Sequence, residues 1–231
     1  MELSKRLKAV AELVTPGQKI ADIGTDHAYI PIWLVEEKRA VSAIAMDINQ
    51  GPLAKAKENI ELHGLSSYIE TRLSDGMKKL CPNEADSVII AGMGGGLVMK
   101  ILEDVKEKPL GIREWILQPQ SELRRVREYL LASGYQVIAE DMVLDEGKFY
   151  PMMKVIRGEK ESYREEELCY GKLLLRQKHP VLELFLKKEL TIKTGIYDSL
   201  SEDSKEGIRK RKEELKKEIW LIQEALKEYA L

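Results

Sequence analysis

Cysteine is nearly missing from this chain: 231 residues hold Cys81 and Cys169, far apart and with no partner nearby. That count excludes a disulfide framework and a cysteine-rich zinc site, and a reducing, cytoplasmic compartment is the expectation. Histidine is scarce as well. His27, His63 and His179 show no ligand spacing, so no metal is expected. No apolar run reaches the roughly 18–20 residues that a membrane span requires. The first amphipathic segment carries Glu2, Lys5, Arg6 and Lys8 where a signal peptide would be apolar. An excess of positive charge is also absent, since 37 basic side chains meet 39 acidic ones. Any nucleic-acid footprint must therefore be a local patch.

What is present is an apolar fraction of 44% with 33% charged residues, the balance of a folded domain. The length allows one sizeable domain and an appendage. The most informative stretch is Asp22-Ile23-Gly24-Thr25-Asp26-His27-Ala28-Tyr29-Ile30, which follows a short apolar run and leads into a helical pattern. A single glycine turn between a strand and a helix is how a Rossmann-type sheet approaches an adenosyl cofactor. The later glycines of the dinucleotide fingerprint are missing, and Asp26 and Ala28 stand where a pyrophosphate would want glycine. Acidic groups there suit a cofactor with positive charge and no phosphate, which points to S-adenosylmethionine (SAM).

Three signals follow in the order such a sheet requires. Val41–Asp47 reads as a second strand ending in a carboxylate, roughly 20–25 residues past the glycine turn, where an acid meets the ribose hydroxyls. Asp47 and the adjacent Ile48 are thus candidate cofactor residues, with a helix cap as the simpler role for Asp47. Ile69–Gly76 reads as a third strand ending in Asp75-Gly76, an acid positioned for the adenine amine. Ser87–Ala91 reads as a buried fourth strand running into Gly92-Met93-Gly94-Gly95-Gly96, where backbone can approach substrate and methyl donor closely. Glu114–Gln118 is a fifth strand, Ser121 caps a helix to Ala132, and Tyr135–Asp141 pairs with Phe149–Ile156 across a polar turn. This alternation predicts an α/β class: a mostly parallel, Rossmann-like seven-stranded sheet with helices on both faces, closed by an antiparallel strand.

Beyond about Gly158 the strand signals stop. Segments 163–177, 181–194 and 201–229 read as helices, with breaks at His179-Pro180 and near Gly195. In the last of them Ile208, Leu215, Ile219, Ile222, Leu226 and Tyr229 fall near heptad spacing. The expectation is a SAM-binding domain over 1–158 and a helical, coiled-coil-like domain over 159–231. The latter is either an intramolecular helical pair or a homodimer coiled coil, leaving monomer and homodimer both open.

The stretch Asp22 to Pro31, the turn Ala91-Gly92-Met93-Gly94-Gly95, the run Gln118-Pro119-Gln120 and the helical tail together resemble the bacterial tRNA adenine-22 N1-methyltransferase family over essentially the whole chain. The resemblance implies SAM-dependent methylation of one adenosine N1 in the D-arm of tRNA, by a Rossmann-like domain with a helical C-terminal domain. Within that frame Asp22 and Gly24 are cofactor-loop residues. Asp26 meets the SAM ammonium or caps the next helix. His27 orients the cofactor or holds the sheet edge, and Tyr29 stacks on a base or packs beneath the loop. Gly92, Met93 and Gly94 line the methyl-transfer site or form a tight turn. Candidate RNA contacts are Lys5, Arg6 and Lys8, the group Arg124, Arg125 and Arg127, the carboxamide of Gln118 and, less strongly, the Arg209–Lys212 run. Two alternatives use the same cofactor half-site: a methyltransferase for a protein or small molecule, and a non-catalytic SAM-binding or helical interaction protein.

Overall fold

Residues 1–159, 161–200 and 206–230 are described in the structure, a computed structural model. The chain divides into two compact units, Met1–Glu161 and Ser162–Leu231.

Runs of small and β-branched residues in the first unit form β1 (Gln18–Ile23), β2 (Ala40–Asp47), β3 (Ile69–Leu73), β4 (Ser87–Met93), β5 (Glu114–Pro119), β6 (Tyr135–Asp145) and β7 (Lys148–Arg157). They make one seven-stranded sheet in the order β3-β2-β1-β4-β5-β7-β6. The first five strands pair in parallel, and β7 runs antiparallel to both β5 and β6. Chain length enforces that switch. Only Glu146 and Gly147 separate β6 from β7, both with positive φ (48° and 77°), and a two-residue turn can join antiparallel strands only. The central strands β1 and β4 bury Ile20, Ala21, Ile23, Val88, Ile89 and Ile90, the apolar runs expected of strands covered on both faces. The helices of this unit are α1 (Lys5–Glu12), α2 (Tyr29–Glu36), α3 (Gln50–Leu62), α4 (Gly95–Glu103) and α5 (Leu123–Ala132). Strand order reverses between β1 and β4, so a crevice opens at their carboxyl ends.

Two local expectations are corrected here. Asp75 and Gly76 lie in the turn after β3 and not on its last residues, because β3 ends at Leu73. Ser121 does not cap α5. Glu122, at φ 55°, takes that position without a side-chain cap, and the Ser121 hydroxyl instead accepts the N–H of Gly95 at 3.2 Å.

The second unit holds α6 (Glu165–Tyr170), α7 (Lys172–Arg176), α8 (Pro180–Ser199) and α9 (Glu206–Ala230). The single helix expected over 163–177 is split at Gly171, whose φ of 100° no helix accommodates. The break expected near Gly195 does not occur. Glycine removes a side chain but keeps its backbone hydrogen bonds, so α8 continues through it. Helices α8 and α9 pack antiparallel: Lys193 Nζ lies 2.7 Å from Glu218 Oε2, Lys212 sits over the Tyr197 ring at 5.5 Å, and the Tyr229 hydroxyl donates to His179 O at 3.0 Å. On α9 the buried residues are Leu215, Leu221, Ile222 and Ala225. Leu215, Ile222 and Ala225 keep the seven- and three-residue spacing of a heptad seam, and Leu221 widens that face. The expected helix start at Ser201 lies outside the described residues.

Candidate active site

The carboxyl end of β1 is turned by Gly24, whose φ of 75° an L side chain would resist. Its N–H and that of Thr25 both donate to Met46 O, at 2.8 and 2.9 Å, which seats the turn across the end of β2. A Cβ on Gly24 would collide with the Met93 methyl group. Met93 therefore reaches from β4 onto the β1 turn. Two non-glycine residues follow in left-handed geometry, His27 at φ 59° and Ala28 at φ 55°, each at a conformational cost that surrounding contacts must offset. One such contact comes from α3, where Asn59 Nδ2 donates to His27 O at 3.0 Å. The side chains form a row: His27 Nε2 is 3.3 Å from Asp26 Oδ1, and the His27 and Tyr29 rings stack with centroids 5.1 Å apart.

A cleft of about 350 Å³ lies at this edge, lined by Asp22, Gly24, Asp26 and Tyr29 together with Arg6, Gly92 and Gln120. Asp22 is 6% exposed. Burial pushes its carboxyl up to about 6; the Thr25 hydroxyl opposes the shift and the Asp47 charge adds to it. A buried carboxylate of this kind is stabilised by an arriving cation and repelled by an arriving phosphate. The residues present thus fit an adenosyl sulfonium better than a dinucleotide.

The glycine-rich turn after β4 is held from the β5–α5 connection. Gly92 N–H donates to Gln118 Oε1 at 3.1 Å. Gln120 N–H donates to Met93 O at 2.8 Å. Gly96 N–H donates to Glu122 Oε2 at 3.0 Å. The Glu122–Gly96 contact and the Ser121–Gly95 bond satisfy the first N–H groups of α4, whose own N-cap, Gly94, has no side chain to do so.

The remaining candidates divide. Asp47, half-buried at the end of β2, accepts the Asn49 N–H at 2.7 Å, and Ile48 beside it is exposed. Asp75 is ion-paired with Lys78, which holds its carboxyl below the usual range. Gly76 is backed by Ile101. Gln118 is wholly buried and offers no surface to RNA directly. Lys5 is exposed, and Lys8 lies 3.9 Å from Glu12. Arg124 pairs with Glu128 at 2.8 Å and Arg125 with Glu122. Arg127 leaves the basic patch altogether, since it is buried against Glu140. Sequence patterns did not disclose the roles of Asn59, Ser121 and Glu122 as braces. Each lies 25 or more residues from the backbone group it holds, a separation with no periodic signal.

A family model described as a methyltransferase domain matches residues 3–153. The Bacillus subtilis tRNA (adenine(22)-N(1))-methyltransferase is 37% identical over 234 residues, covering 95% of this chain and 97% of that protein. The chain belongs to the tRNA (adenine(22)-N(1))-methyltransferase family. The crystal structure of the B. subtilis enzyme TrmK superposes with a TM-score of 0.86 at 35% identity, covering 97% of this chain and 99% of that one. A Streptococcus pneumoniae protein in complex with S-adenosyl-L-methionine gives 0.87 at 32%, covering 97% and 100%. Family membership agrees with the phosphate-free cleft read from the residues. Among the described residues no helix is long and apolar enough to cross a membrane.

Proposed function

We infer that this chain is a SAM-dependent tRNA methyltransferase that methylates N1 of adenosine 22, in the D-arm. The observation that carries this is the acid-lined cleft at the switch point between β1 and β4, in a chain related along its whole length to that family. When bound, SAM supplies an electrophilic methyl group on a sulfonium whose charge is discharged on transfer.

The chain's own residues bind, orient and exclude. Asp22 and Gly24 form the floor, and Asp26 faces the ammonium. Asp47 has one oxygen engaged by Asn49 and the other available to ribose hydroxyls. Ile48, Asp75 and Gly76 flank the adenine of the cofactor. Gly92, Met93 and Gly94 border the place of transfer, with His27 and Tyr29 opposite. Adenine N1 carries an in-plane lone pair, so no side chain need remove a proton before attack. The methylated base is cationic, which the Asp26 carboxylate and the Tyr29 face suit. Alignment therefore supplies the rate acceleration. N1 is engaged in a paired helix, so the target nucleotide must be unpaired or extruded. Lys5 and Arg6 on α1 and Arg124 and Arg125 on α5 are assigned to the RNA side, with Gln118 acting from beneath. We assign 1–158 to cofactor binding and catalysis and 159–231 to the helical domain.

Methyl-labelled SAM with unmodified tRNA transcripts tests this. Label in a transcript with adenosine 22 and none in its guanosine-22 counterpart is expected. Label in a protein or small molecule would redirect the substrate, and tight SAM binding without transfer would make the chain a non-catalytic binder.

A further inference from the structure

A second cavity, of about 160 Å³, lies at the amino-terminal edge of the sheet, away from the cleft. Strand direction puts it there. Trp115 is the second residue of β5, opposite Val155 of antiparallel β7, and Tyr135 at the start of β6 is paired with Arg157 at the end of β7. The parallel strands have their carboxyl ends at the cleft, so these three residues share the far edge. No residue of the cleft lines this cavity, and none of its lining has a role assigned in methyl transfer. The walls are held in place. The Trp115 and Tyr135 rings meet edge to face with centroids 5.0 Å apart. Asn83 N–H donates to Leu110 O at 2.9 Å. Gly111, at φ 77°, leaves room for the Asn83 carboxamide, whose Oδ1 would stand 2.5 Å from a Cβ there.

Three features of the lining converge on one ligand chemistry. Trp115 is 5% exposed, and its Nε1–H is buried with no acceptor among the described residues, an unfavourable state for a donor. The Arg157 guanidinium lies over the Tyr135 ring, 4.0 Å from its centroid, and donates to Ser133 O at 2.8 Å. Neither Arg157 nor Lys108 pairs with a carboxylate among the described residues, whereas Lys106 stands 3.6 Å from Glu103. The third feature is apolar: Val105 and Leu110 are buried and line the same space. An unanswered N–H beside two uncommitted cations calls for an anion with acceptor oxygens. Apolar walls around a space close to the roughly 150 Å³ that admits benzene call for a body of one ring. A bare phosphate would leave the apolar walls against water, and a neutral ring would leave the donor and both cations unanswered. We propose that this cavity is a binding site for a small organic anion, a single-ring aromatic carboxylate. Its carboxylate accepts the Trp115 Nε1–H and lies against the Arg157 and Lys108 charges, and its ring fills the apolar part.

Nuclear magnetic resonance of the full, nitrogen-labelled chain tests this with benzoate as the probe. Trp33, Trp115 and Trp220 are the three tryptophans, so three indole N–H signals are expected, and W115F identifies the relevant one by its loss. Benzoate should shift the Trp115 signal saturably and leave those of Trp33 and Trp220 in place. Benzamide, of the same shape without the charge, should bind about tenfold more weakly, and inorganic phosphate should not move the signal. K108Q and R157Q should each weaken benzoate by about threefold and leave benzamide unaffected. Because Lys108 and Arg157 lie outside the cleft, both variants should keep the wild-type rate of methyl transfer, and an unshifted Trp115 signal before titration shows that the cavity is intact. Three results overturn the assignment: a Trp115 signal that benzoate does not move, benzamide binding as tightly as benzoate, or benzoate affinity unchanged in both K108Q and R157Q. A shift caused equally by inorganic phosphate would also overturn it, since the ring would then contribute nothing.

Discussion

Arg127 Nη2 on α5 lies 2.9 Å from Glu140 Oε1 on β6, and the two side chains are 1% and 0% exposed. The pair joins a helix to the sheet edge through charges that cannot reach water. Removing one partner leaves the other buried without the opposite charge of this pair. R127M or E140Q is expected to cost about 3–5 kcal/mol, whereas the double replacement R127M/E140L should recover most of that. Urea denaturation of the three variants checks it. Equal stability of the single and double variants would show that the ion pair is not the unit of stabilisation.

Asp22 makes the opposite kind of statement about charge. Burial raises its carboxyl from 3.8 to about 6, so between those values the folded protein holds a proton that the unfolded chain has released. The stability it contributes is complete below 3.8 and declines as pH rises to about 6, then stays level. D22N should therefore make the ligand-free protein more stable than wild type at pH 7, by about 1–3 kcal/mol, and should lose that advantage near pH 4. In the wild type, SAM affinity should rise from pH 5 to 7 as the carboxylate forms, and in D22N it should be low and flat. Denaturation and titration across pH 4–8 measure both, and a wild-type affinity without pH dependence would remove Asp22 from contact with the cation.

Two glycines give opposite forecasts for the same substitution. At Gly95 an added Cβ meets Val126 Cγ2 at 2.9 Å and Glu122 Cβ at 3.0 Å, so G95A must push α4 off the β5–α5 connection. A loss of about 1–3 kcal/mol is expected, with weakened methyl transfer. At Gly195, within α8, nothing lies within 4 Å. G195A should gain about 0.5–1 kcal/mol from helix propensity. Thermal unfolding of each variant decides the sign.

Arg124 and Arg125, proposed for the RNA side, are already paired with Glu128 and Glu122. Replacing both with alanine should make the salt dependence of tRNA affinity shallower by about 1–2 in slope. E128Q, which removes the Glu128 charge from Arg124, should strengthen binding slightly. An unchanged slope in the double variant would take this face of α5 out of the RNA interface.

The succession of strands and helices along the chain, the cofactor class and the acids at the ends of β1 and β2 were legible in the residues themselves. β1, β2 and β4 each announce themselves as short apolar runs with a distinctive residue at the carboxyl end, and that signal is local. Asp22, Gly24, Asp26 and Tyr29 were found this way, and they do meet in one cleft. Ser121 and Gly195 show where local signals mislead: a serine before an amphipathic run is as good a cap for a neighbouring helix as for its own, and a lone glycine does not stop a helix whose apolar face is packed.

What the sequence by itself determined is the alternation of elements and the acidic, phosphate-rejecting character of the turn after β1, because both follow from side-chain periodicity and from which groups a glycine turn leaves exposed. What only the tertiary structure decided is which cations keep their charge. Arg127 was neutralised by Glu140 and Arg6 was left bare beside Gln118. Nothing in the spacing of arginines separates these two, since the difference lies in the partner that packing brings from 13 residues away in one case and 112 in the other.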